Sequence, residues 1–152
     1  QRRLSRRPAL ALLDVFQLHA REHPKKPLLR FQDEVHTYED VDLRSNRAAW
    51  ALWRRLGLSG GSTVAVFLPN SPTYVWTWLA LAKLGCAMAC VNTNARGRAL
   101  RHALEAAGTT VMLASPGESG GLRGAGERWP PGAQWCWPVL VRAGGYEGLG
   151  GG

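Results

Sequence analysis

The sequence predicts an α/β fold, a partial doubly wound parallel sheet with helices on both faces. Short continuous apolar runs rich in β-formers alternate with segments of helical periodicity. Gly or Pro marks nearly every join. Composition then shifts late in the chain: of 18 glycines in 152 residues, 12 fall between Gly117 and Gly152. The first 116 residues therefore read as folded and the last 36 as a Gly/Pro-rich tail without order.

Taken in order, Pro8 suits a first helical turn. Leu12, Leu13, Phe16 and Ala20 recur at helical spacing until Pro24 stops the run. Residues 27–31 and 35–38 flank Gln32-Asp33-Glu34 as a short hairpin. Thr37 is placed to accept an amide hydrogen at the start of the next helix, with Asp40 three residues on to reciprocate. Val41, Ala48, Ala49, Leu52 and Leu56 form that helix's apolar stripe, and Gly57 ends it. Arg44, Arg47, Arg54 and Arg55 lie off the stripe.

Gly60-Gly61 makes a turn into the apolar run 63–68, which suits a strand covered on both faces. Asn70 or Ser71 caps the next helix, Pro72 sits in its first turn, and Gly85 closes it. Residues 86–91 predict a second buried strand, 97–107 a helix ended by Gly108, and 110–113 a third strand. This alternation implies parallel pairing through right-handed crossovers. It amounts to about half of a doubly wound sheet. The missing remainder of the same domain is therefore an expected partner.

The net charge of +8 is concentrated at the start. Residues 1–30 hold eight Lys or Arg against Asp14 and Glu22, and Arg2, Arg3, Arg6 and Arg7 crowd the first seven positions. Such a leader fits either a solvated segment or a stretch beside a cytoplasmic membrane face. Nucleic acid is not expected, because no aromatic residues interleave the arginines and no recognition motif follows. The chain opens on Gln1, so an upstream segment, including any signal or membrane anchor, is expected. Cys86, Cys90 and Cys136 form no disulfide framework. On one strand Cys86 and Cys90 would stand about 13 Å apart, too far to bond. Both are expected to be buried and reduced.

Few side chains offer chemistry. Residues 72–91 contain one charge, Lys83, and have the length of a membrane span. Gly85 and the change to β-formers divide them into a helix and a strand instead, and Lys83 would be costly mid-bilayer. His19-Ala20-Arg21-Glu22-His23 has the H-x-x-E-H spacing of a zinc site, but Pro24 follows at once, which favours a solvated helix end. The glycines of 57–62 precede a strand and lack a closing Lys, so they do not form a phosphate loop. Gly124-Ala125-Gly126 lacks its third glycine. Leu68-Pro69-Asn70-Ser71-Pro72 is a strand-to-helix corner at the carboxyl end of a parallel strand, where ligands tend to bind. Simple helix capping by Asn70 or Ser71 is the favoured reading, and Ser71 lacks the elbow of a nucleophile. No catalytic, cofactor-binding or metal residue is assigned.

A run of matched segments carries a resemblance. It comprises Thr37-Tyr38-Glu39-Asp40-Val41-Asp42, Arg44-Ser45-Asn46-Arg47-Ala48-Ala49, Val64-Ala65-Val66-Phe67-Leu68-Pro69-Asn70-Ser71-Pro72, Ala82-Lys83-Leu84-Gly85-Cys86-Ala87-Met88-Ala89-Cys90-Val91-Asn92 and Ala107-Gly108-Thr109-Thr110-Val111. Together these resemble the amino-terminal region of the adenylate-forming acyl-CoA synthetase superfamily. Tyr74-Val75-Trp76 and Val91-Asn92-Thr93-Asn94 are similar to the very-long-chain acyl-CoA synthetase and fatty acid transport protein branch.

The resemblance implies a parent that activates a long-chain fatty acid with ATP and Mg through an acyl-adenylate and passes it to coenzyme A. It also implies a location on the cytoplasmic face of the endoplasmic reticulum, peroxisome or plasma membrane. The family's Ser/Thr/Gly-rich phosphate loop with its Lys, its ribose-binding acid and its lid lysine have no counterpart here. The chain is thus expected to be an inactive fragment: a basic leader (1–8), a partial amino-terminal domain (9–116) and a tail outside the family (117–152). The alternative expectation is a non-enzymatic, membrane-associated interaction module.

Overall fold

The computed structural model describes residues 10–109, 111–115 and 134–136. The basic leader and most of the tail lie outside the described residues.

Helix α1 (Leu12–Glu22) is followed by the antiparallel hairpin β1 (Pro27–Phe31) and β2 (Glu34–Thr37). Phe31 pairs with Glu34, so the turn is only Gln32-Asp33, and Gln32 takes a left-handed φ of 52° to close it. Helix α2 (Tyr38–Leu56) begins in the reciprocal cap read from the sequence. The Asp40 amide donates to the Thr37 hydroxyl at 3.2 Å, and the Thr37 amide donates to the Asp40 carboxylate at 2.9 Å. These bonds, the backbone one foremost, hold the Asp40 carboxyl below its ordinary range. Gly57, with φ 61°, ends α2 in a left-handed turn.

The remaining elements build a parallel sheet: β3 (Thr63–Phe67), α3 (Pro72–Lys83), β4 (Ala87–Cys90), α4 (Gly97–Ala106), β5 (Val111–Ala114) and β6 (Gln134–Cys136). The strand order is β4-β3-β5-β6. Alternate residues of the strands face opposite layers. Val64, Val66, Val111 and Leu113 pack with Ala48, Ala49 and Leu52 of α2 and Ala80 and Leu81 of α3. Ala65, Phe67, Met112 and Ala114 pack with Leu100 and Leu104 of α4. The central strands are therefore covered on both faces, as their unbroken apolar runs require.

Two expectations change. The segment after Cys86 does not form a buried strand: β4 stands at the edge of the sheet, and Cys90 is exposed while Cys86 is buried. Edge position explains this, since among the described residues only β3 flanks β4. Cys90 still has a neighbour in Tyr74, whose phenol is pushed up to about 12 by its hydrogen bond to Cys90 and by burial. In the Gly/Pro-rich segment, three residues form β6 and pair parallel with Val111–Leu113 of β5. An unpaired edge of backbone donors and acceptors offers that place.

A third cluster joins the front of the chain to the sheet. Phe16 of α1, Val41 of α2, and Trp76 and Leu79 of α3 are buried together, with Leu28 and Leu29 of the hairpin against them. His36 meets the Trp76 ring edge-on at 5.7 Å, and the Arg44 guanidinium lies 4.9 Å from its centre. The His36 Nε2 is 3.1 Å from a Glu34 carboxylate oxygen, within ion-pair range but outside hydrogen-bond geometry.

The same layer seats Lys83, the single charge of the apolar stretch. Its Nζ donates at 2.7 Å to each of Asp42 Oδ1, Ser45 Oγ and Asn46 Oδ1 on α2. It also lies 5.7 Å from the centre of the Phe16 ring on α1. Three helices therefore meet at one ammonium group.

The cap gives a first prediction. Thr37→Ala should cost about 1 kcal/mol of stability. The depressed Asp40 pKa means its contribution is present above the unfolded carboxylate value and lost as pH falls through the lower folded value. Denaturant melts over about pH 5 to 2 should show a shallower acid loss in Asp40→Asn than in the parent; equal slopes would contradict the cap.

The turn before β4 gives a second. Gly85 holds φ 70°, and a Cβ there would sit 3.3 Å from the Gly60 Cα, whereas a Cβ on Gly57 at φ 61° would meet nothing within 4 Å. Gly85→Ala should therefore lose more than the about 1 kcal/mol expected of Gly57→Ala. Equal melting losses would show that the backbone approach carries no cost.

Candidate functional site

The carboxyl ends of β3, β4 and β5 share one edge of the sheet, because the three strands are parallel. The loops that leave this edge are 68–71, 91–96 and the chain after Ala114. The strand order places β4 on one side of β3 and β5 on the other, so the chain reverses direction of winding at β3. Such a switch point leaves a crevice at the carboxyl edge between diverging loops.

The corner singled out in the sequence stands at this edge, where β3 gives way to α3. Ser71 occupies the N-cap position of α3 with extended backbone, yet its side chain makes no capping hydrogen bond. The capping explanation therefore fails at the hydroxyl. Asn70 is exposed, and Pro72 fills the first helical position with no amide to satisfy. Beyond β4, the Asn94 amide donates to Asn92 Oδ1 at 2.8 Å and shapes the loop into an Asx turn. Arg96 precedes α4, donates to the Thr93 and Ala95 carbonyls, and lies 5.8 Å from the centre of Phe67.

The edge is thus made of amide, hydroxyl and guanidinium groups. Among the described residues of these loops there is no Asp or Glu. A magnesium ion is held by carboxylates and phosphate oxygens, and the arginine here is turned toward backbone carbonyls. The described residues of this edge do not fit a magnesium–nucleoside triphosphate site.

The H-x-x-E-H set does come together at the end of α1. Ligand atoms of His19, Glu22 and His23 lie within 4.8 Å of one another. A tetrahedral zinc would need separations of roughly 3.3 Å. Glu22 and His23 are exposed, and His23 has already left helical geometry at φ −133° and ψ 55°. The His19 ring is instead engaged by Tyr38, 5.7 Å between centroids. A separate cleft of about 370 Å³ runs between α1 and the start of α2, lined by Gln17, Arg21, Glu39 and Asn46 among others. It lies beside α1, not at the carboxyl edge. No helix among the described residues is long and apolar enough to cross a membrane.

One group with structural weight escaped the sequence reading. Lys83 was legible as a lone charge, but its partners on α2 were not. The signal that could have found them was the Asp42, Ser45 and Asn46 spacing, which puts three acceptors on neighbouring turns of one helix.

Comparison with known proteins agrees with this geometry. The long-chain fatty acid transport protein 2 of Rattus norvegicus is 52% identical over 111 residues, covering 73% of this chain and 18% of the relative. The long-chain fatty acid transport protein 6 of Homo sapiens is 38% identical over 104 residues, covering 68% of this chain and 17% of the relative. A medium/long-chain-fatty-acid–CoA ligase of Mycobacterium tuberculosis is 35% identical over 100 residues, covering 66% and 17%. The chain therefore spans under a fifth of the length of these relatives. Among solved structures, the N-terminal subdomain of NpsA from Klebsiella oxytoca superposes with a TM-score of 0.65 at 29% identity, over 68% of this chain and 26% of that one. The o-succinylbenzoate coenzyme A synthetase of Bacillus subtilis, at 24% identity and TM-score 0.64 over 67% of this chain and 26% of its own, shares the fold. The family described as AMP-binding enzyme matches residues 16–131, fifteen positions beyond the boundary expected at Pro116. The chain belongs to the AMP-binding enzyme family.

Proposed function

We propose that this chain is the front portion of the amino-terminal domain of a long-chain or very-long-chain fatty acid–CoA ligase of the fatty acid transport protein type. The observation that carries the reading is the 52% identity to the rat transport protein across 111 residues. The parent would join a fatty acid to ATP, release pyrophosphate, and transfer the acyl group from AMP to coenzyme A, with magnesium on the phosphates. It would work at the cytoplasmic face of a membrane such as the endoplasmic reticulum.

The chain itself would contribute scaffold. Its sheet supplies β3 to β5 and a crevice edge, and α2 and α3 cover one face. The phosphate loop, ribose-binding acid and lid lysine would come from other segments of the parent. By itself the chain would be inactive, because the groups that position phosphates and offset transition-state charge are missing. The domain limits at residues 8 and 116 belong to the same proposal.

Sequencing the transcript across the Pro116 codon tests this together with an exchange assay. The expected product continues into a Ser/Thr/Gly-rich segment ending in Lys and catalyses fatty-acid-dependent ATP–pyrophosphate exchange, while residues 1–152 give none. Transcripts that all end at Gly152, or exchange by the 152-residue chain, would overturn the reading.

A further inference from the structure

Helix α2 turns an unusual face to solvent. Its buried side carries Val41, Ser45, Ala48 and Leu52. On the opposite side Leu43, Asn46, Arg47, Trp50, Trp53 and Arg54 are all exposed. At 3.6 residues per turn these six fall in a sector of about 120°. Trp50 is 57% exposed, Trp53 56% and Leu43 49%. Those values matter because a tryptophan on a soluble helix ordinarily finds cover, and two adjacent uncovered ones with a leucine make a continuous apolar strip.

The charges on this face have one sign. All carboxylates of α2 lie in its first five residues, and each is engaged: Glu39 with Lys25, Asp40 with the Thr37 cap, and Asp42 with Lys83. From Leu43 to the end of the helix there is no acid, while Arg44, Arg47, Arg54 and Arg55 follow. The Arg54 guanidinium rests 4.9 Å from the centre of the Trp50 ring. Among the described residues, neither Arg47 nor Arg55 has a carboxylate within ion-pair distance.

From this arrangement we infer that the outer face of α2 docks onto the surface of an anionic phospholipid bilayer. Tryptophan settles at the headgroup level, where its ring is apolar and its N–H remains wet. Arginine pairs with phosphate through two parallel N–H bonds. The acid-free segment, 14 residues long, extends about 20 Å as a convex rod. Leu43 and Asn46 at its start border the cleft beside α1, but the remainder, with Arg47, Trp50, Trp53 and Arg54, is convex and can lie flat in an interface. The chain's net charge of +8 attracts it to the same surface. The inference rests on the membrane association proposed above and names the surface that makes it.

The test uses the full chain with sucrose-loaded vesicles of phosphatidylcholine, with and without phosphatidylserine. Co-sedimentation should require phosphatidylserine and weaken with salt. Brominated lipid should quench tryptophan emission. The double variant Trp50→Ser/Trp53→Ser should bind at least about tenfold more weakly and lose most of that quenching, and Arg47→Gln/Arg54→Gln should weaken binding to a similar degree. These side chains are exposed, so circular dichroism and melting should match the parent in both variants.

Each alternative outcome is decisive. If the tryptophan variant binds like the parent while Arg2, Arg3, Arg6 and Arg7→Ala abolishes binding, membrane association stands and the α2 assignment falls. Binding to neither vesicle overturns both. If a single-stranded oligonucleotide competes vesicles off and quenches Trp50 and Trp53, the face serves nucleic acid and the lipid inference is wrong.

Discussion

Everything in front of the sheet depends on finding partners for one charge. An ammonium group removed from water must be surrounded by acceptors, because burying it unpaired costs several kcal/mol. The Lys83 side chain is 10% exposed. Its three close acceptors, on Asp42, Ser45 and Asn46, all belong to α2. That requirement fixes the rotation of α2 about its axis and its height against α3. Once α2 is so placed, Ala48, Ala49 and Leu52 fall on the sheet, Val41 falls into the cluster with Phe16 and Trp76, and the tryptophan and arginine face points outward. Apolar packing supplies most of the adhesion, but it is non-directional. The lysine supplies direction.

The same logic separates the two faces of the sheet. The face shared by α2 and α3 carries a polar tie between helices beside its apolar contacts, whereas the α4 face is held by apolar contacts of Leu100 and Leu104 with Phe67, Met112 and Ala65, with the Arg96 guanidinium near Phe67 at its rim. The carboxyl edge lies between these layers, and helices α3 and α4 both start there. This leaves a rigid rim with few charges of its own. A family enzyme built on such a rim must bring its charged groups on other segments, which accords with relatives more than five times the length of this match.

Much of this was legible in the sequence because local signals agreed with the global fold. Thr37 and Asp40 announced a helix start and Gly57 its end. The run 63–68 read as a two-face strand, and β3 within it, Thr63–Phe67, is buried on both. Strand β4 misled because apolar content cannot report which strand stands at an edge; that is fixed by topology, here by β3 choosing β5 as its other neighbour. Strand β6 had no local signal, since its pairing depends on an open edge far away in sequence. The Lys83 network was hidden because its donor and acceptors lie 37 to 41 residues apart. The carboxyl edge at the switch point could be located from strand order, but its chemistry could not, because Ser71 declines the capping bond that its position offers.

The most direct measurement is a double-mutant cycle on Asp42 and Lys83. Asp42→Asn, Lys83→Met and the pair would be melted in denaturant, with Trp76 fluorescence and hydrogen exchange of α2 as readouts. If the lysine orients α2, each single change destabilises, the coupling is favourable by about 1–3 kcal/mol, and amides of α2 lose protection before those of β3. Additive losses with no coupling, or α2 protection that outlasts β3 in Lys83→Met, would show that apolar packing alone sets the arrangement.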